Sequence, residues 1–178
     1  MPEGESEWKA ALLRPSSKAS VAAIILGSWM LVLDVLNIVI GVHSDGGKVR
    51  WIDFLTNGSE VSQAHEFGIL IPDDLLFSAL GFGILALGMM GLGRSVEGGF
   101  KTWSKQLPSS PIFSSLLSTS GGSNRTIGSW LILLGAMFYI IWSSLYSTWV
   151  DPGVYSVMIA LVAIGFGLHA VEDSKVNQ

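Results

Sequence analysis

Cysteine is absent from this chain of 178 residues. That excludes disulfides, thiolate metal sites and cysteine nucleophiles. Charge is also scarce: 13% of residues are Asp, Glu, Lys or Arg, against about 25% in a soluble domain. The net charge of −4 offers no basic excess to draw nucleic acid. No phosphate-binding Walker loop, nucleophile elbow or HExxH motif occurs. The expectation is a chain that is not catalytic by itself and has no nucleic-acid partner.

What the sequence does have is apolar length, with 49% hydrophobic residues. A hydrocarbon core of about 30 Å needs roughly 20 apolar residues in a helix. Four segments meet this length, over about 20–42, 75–93, 127–146 and 153–171. Helix is imposed on all four, because lipid offers no partner to an open backbone. The first is too long for a cleavable signal core and follows a polar segment. The fold class expected is therefore an all-α integral membrane protein, one domain over 1–178. Its four transmembrane helices form two tandem hairpins, with membrane lipids around them.

Lysine and arginine set the orientation. Lys9, Arg14, Lys18, Arg94, Lys101, Lys105, Arg125 and Lys175 fall on one side, and only Lys48 and Arg50 on the other. Eight against two predicts cytoplasmic termini. Residues 43–74 then form a long outer loop, with turn signals at "SDGG" and "TNGS". Within it, "KVRWIDFL" suits a short strand or interfacial turn, and the apolar "FGILI" before Pro72 suits the membrane face. The Ser/Gly/Pro-rich 94–126 connection reads as a linker with an amphipathic piece at Phe100–Trp103. "SLYSTWVDPG" is a tight turn, and "ESEWKAALLR" at 5–14 a short surface helix.

Every span has small residues at helical spacing, the pattern that lets backbones approach in lipid. The fourth has Ser156, Ala160, Ala163, Gly167 and Ala170; the second has Ser78, Gly81, Gly88 and Gly91. The first has Gly27, Asp34 and Gly41, and the third Gly128 and Gly135. The chain also echoes itself: "GSWMLVLDVLNIVIGV" at 27–42 returns as "GSWLILLGAMFYIIWS" at 128–143. "FSALGFGILALG" in the second span similarly echoes "YSVMIALVAIGFG" in the fourth. Halves of two spans each make a parallel repeat, unlike the inverted repeats of many transporters.

Few residues are placed for chemistry. Asp34 falls three residues past the middle of the first span, about 4–5 Å from the midplane. An aspartate at a helix centre costs about 2.5–3.5 kcal/mol to insert. Asn37 shares its face. The pair reads either as an ion-responsive site or as an interhelical hydrogen bond, with Gly135 leaving room opposite. His169 is a candidate axial ligand for haem or pigment, set against the plainer reading of a polar helix end. His43 and His65, with Asp45, Glu66, Asp73 and Asp74, are candidate metal ligands without a recognised spacing. Asp73 and Asp74 suit the N-terminal cap of the second span. Asn57 opens a glycosylation sequon.

The expected function is a non-catalytic integral membrane subunit that packs into a larger complex with other subunits or with itself. A small transporter or channel using Asp34 and Asn37, and a pigment- or cofactor-binding protein, are the alternatives.

Overall fold

The computed structural model describes residues 15–52, 61–62 and 67–176. The expected 5–14 helix, His65, Glu66 and the Asn57 sequon lie outside them. Four long helices dominate: α1 (Ser17–Val39), α2 (Asp73–Ser95), α5 (Ser123–Tyr146) and α6 (Pro152–Val176). The chain divides into two compact units. One contains α1 and α2, the other α5 and α6.

The four long helices have mean hydropathies of 1.6–2.1, yet only 17–28% of each apolar window is buried. A soluble chain does not leave so much contiguous apolar surface to water. The protein is a multi-pass integral membrane protein, and all-α as expected.

Local sequence sets the helix ends. The Ser16 side chain accepts from the Ala19 N–H at 3.2 Å and caps α1. At the other end Gly41 has φ 75°, the left-handed conformation that lets glycine end a helix. Gly41 is therefore a terminator rather than part of the packing seam. α1 begins and ends about three residues earlier than 20–42. Asp151 accepts from the Val154 N–H at 2.9 Å, with Pro152 opening α6.

Two smaller elements fall in the connections. β1 (Lys48–Val49) pairs antiparallel with β2 (Val61–Ser62). After α2 comes α3 (Gly99–Gln106), where Phe100 and Trp103 bring their rings to 5.6 Å. Lys101 and Lys105 are exposed on the same helix, so the amphipathic piece is real. A single turn, α4 (Pro111–Ser114), follows.

In the first unit α1 and α2 pack antiparallel through glycine. A Cβ on Gly27 would lie 2.5 Å from the Leu85 nitrogen and 2.7 Å from the Gly81 oxygen. One on Gly88 would lie 2.8 Å from the Ser20 oxygen and the Ile24 nitrogen. Moving forward along α1 moves the partner back along α2. In the second unit a Cβ on Gly128 would lie 2.6 Å from the Gly165 oxygen, and one on Gly165 would lie 2.6 Å from the Gly128 oxygen. The two glycines of the repeated Gly-Ser-Trp thus do the same task, each meeting a partner glycine's carbonyl.

The small-residue stripe of α6 does not make this contact. Ser156, Ala160, Ala163, Gly167 and Ala170 are all exposed, while Val154, Gly165 and His169 are buried. The reason is the Gly128–Gly165 approach, which turns the opposite face of α6 inward. The looser echo also fails in detail, since Ser78 faces α1 whereas its counterpart Ser156 is exposed.

Candidate functional site

The polar side chains of the first unit converge where α1 ends and α2 begins. The midpoint of α1 is Ser28, so Asp34 is six residues beyond it, about 9 Å along the axis. Asp34 is nearer the helix end than 20–42 implied, and closer to the polar connection. It is 2% exposed. Its carboxylate accepts a hydrogen bond from Ser78 of α2, and the Trp51 side chain also interacts with it.

Asn37, one turn later, is fully buried. Its carboxamide behaves like a strand backbone. Nδ2 donates to the Val49 carbonyl and Oδ1 accepts from the Val49 N–H, each at 2.9 Å. Nδ2 also donates to Asp74 Oδ1 at 3.3 Å. The side chain thus extends the β1 ladder into the helix pair.

Asp73 and Asp74 are not the helix cap expected of them. Pro72 occupies the N-cap position. Asp73 instead accepts from the Trp51 and Ile52 N–H groups at 2.7 and 2.8 Å. Asp74 Oδ2 accepts from the Leu70 N–H at 2.7 Å. Both carboxylates still profit from the helix dipole in the first turn, but they spend their lone pairs on the connection. Lys48 is buried and donates to the Gly68 carbonyl at 2.6 Å. Trp51 stacks on Phe77 with ring centroids 3.9 Å apart. Together these contacts bind residues 48–52 and 68–70 onto the end of the α1–α2 pair. Chemically, the cluster satisfies the polar groups of irregular backbone packed against two apolar helices, where an unpaired group is costly.

Comparison with family models, with curated proteins and with solved structures returned no match. Function must therefore be argued from the chain's own geometry.

His169 is not a solvated helix end. It is buried, and Nε2 lies 3.0 Å from Ser129 Oγ of α5. The Gly128–Gly165 approach draws the helices close enough for this bond. The spacing matches that of a nucleophile and its base. Ser129 is nonetheless fully buried, with a backbone contact at the preceding residue, so no substrate carbonyl has room to reach it. A buried interhelical hydrogen bond is what the pair provides.

His43 is half-buried and lies 3.1 Å from the Ser44 hydroxyl through Nδ1. With Asp73 and Asp74 committed to backbone N–H groups, the metal set foreseen for this loop is reduced. Among the described residues no group of three or more metal-binding side chains forms.

The sequence pointed to Asp34, Asn37 and His169, but not to their partners. Ser78 was visible only as a small residue in a seam, and Ser129 only as part of the Gly-Ser-Trp echo. Lys48 and Val49 were visible within "KVRWIDFL" as a short strand, which β1 is, but not as partners of Gly68 and Asn37, because a backbone partner leaves no trace in residue type.

Proposed function

We propose that this chain is a non-catalytic integral membrane subunit that packs into a larger membrane assembly through α6. The observation that carries the reading is the outward stripe of Ser156, Ala160, Ala163, Gly167 and Ala170. Small residues on a membrane helix permit close packing against another helix, and a Cβ on Gly167 would meet nothing within 4 Å. The inward face of α6 is served by Gly165, so the second small-residue face is spare within the α5–α6 pair. The polar cluster supports a structural role as well, since Asn37, Asp73 and Asp74 bind protein backbone rather than facing a lumen.

Purification from native membranes in mild detergent, with mass spectrometry of co-eluting protein, tests this. A stoichiometric partner, or a second copy, is expected. A lone chain of 19.0 kDa would contradict it.

The charge asymmetry supports cytoplasmic termini. The absence of cysteine makes single-thiol labelling clean. A Ser174→Cys variant should react with an impermeant maleimide only after the membrane is opened, and a Ser59→Cys variant before. The reverse order would invert the orientation.

A further inference from the structure

We propose that the cavity beside residues 69–73 binds a membrane phospholipid, with Arg50 on the phosphodiester and Ile52, Ile69 and Ile71 along the acyl chain. The cavity measures about 470 Å³, and Arg50, these three isoleucines and Asp73 are among the residues lining it. That volume falls in the range of ligand pockets, about 300–1,000 Å³.

Its depth identifies the occupant. The Gly68 N–H donates to the Ile38 carbonyl at 3.4 Å, one residue before the end of α1, and α2 starts at Asp73. The segment between therefore runs along the end of the helix pair. A helix of 23 residues such as α1 spans roughly 35 Å, slightly more than the hydrocarbon core of about 30 Å. The cavity is then at the boundary where headgroups meet acyl chains.

Its chemistry fits the same ligand. Phe67, Ile69 and Ile71 are 76%, 54% and 75% exposed, on alternate residues of the segment. Ile69 and Ile71, with Ile52, line the cavity itself; large apolar side chains there suit a hydrocarbon chain and give nothing to a free anion. Arg50 is exposed at the rim. A guanidinium has five donors, enough to serve protein and phosphate together. Asp73 also lines the cavity, but its oxygens already accept from Trp51 and Ile52.

Native mass spectrometry of the full chain, purified in mild detergent, tests the site. Dioleoylphosphatidylglycerol is titrated against dioleoylglycerol, which has the same chains and no phosphate. The wild type should bind one phosphatidylglycerol at least about tenfold more tightly than the diacylglycerol, the worth of a charge-assisted hydrogen bond. Arg50→Gln should abolish that preference, and Arg50→Lys should keep part of it. Ile69→Asn should weaken both lipids. Excess inorganic phosphate should displace neither. Equal preference in wild type and Arg50→Gln would overturn the proposal. So would displacement by inorganic phosphate, which would make the site one for a free anion. Unchanged melting of Arg50→Gln would show that the fold is intact in that comparison.

Discussion

Replacing Gly27 with alanine is expected to destabilise the chain by about 3 kcal/mol, the upper end of what overpacking costs. One methyl group is enough. A Cβ there would lie 2.5 Å from the Leu85 nitrogen and 2.7 Å from the Gly81 oxygen. Both are backbone atoms, so no side chain can rotate away, and the two helices must separate. Separation would also stretch the Ser78–Asp34 bond further along the same seam. The matched control is Gly83, where an added Cβ meets nothing within 4 Å. Gly83→Ala should stabilise by about 0.5–1 kcal/mol, because alanine is the better helix former. The two substitutions are chemically identical and opposite in predicted sign. Thermal melting of each variant in the same detergent reads the difference. Equal shifts would mean that α1 and α2 do not meet at Gly27.

Asn37→Ala should be nearly as damaging, through a different mechanism. It removes the donor and acceptor that pair with both polar groups of Val49. Val49 is itself buried. Two buried backbone groups would be left without partners, at about 1–2 kcal/mol each, the lower part of the usual range, and Asp74 would lose a donor. The expected cost is about 2–4 kcal/mol. Asn37→Asp is expected to do no better. It keeps an acceptor for the Val49 N–H but loses the donor and sets a second carboxylate against Asp74. The loosening should be local. Limited proteolysis should cut the 43–72 connection faster, while the 147–151 turn keeps its wild-type rate. Unchanged protection of the connection would show that Asn37 does not hold it.

These residues show what the sequence reveals and what it hides. The four spans were legible because length and hydropathy are additive properties of a window. The Gly27 and Gly128 contacts were legible too, since an echo of three residues marked both. On α6 the small-residue periodicity was correct but pointed outward. Periodicity finds a face and cannot say which partner covers it. That choice was made by Gly165, which lies outside the stripe, and by His169, whose partner Ser129 is 40 residues away. The aspartates after Pro72 misled in a related way. Their position predicts a helix cap, yet a carboxylate accepts from whichever N–H groups the fold brings near, here those of Trp51, Ile52 and Leu70. Asn37 was visible as a polar residue in an apolar span, but its bond to a backbone 12 residues on was not.

The outward face of α6 is proposed to join this chain to another. The most direct measurement is the particle mass of wild type and of Gly167→Leu, purified side by side in mild detergent. Nothing lies within 4 Å of an added Cβ there, so the substitution begins in open space outside the α5–α6 contact. The wild type is expected as a particle containing more than one chain, and Gly167→Leu as a single chain of 19.0 kDa. A wild type that is already a single chain, or a variant that keeps the full assembly, would contradict the account.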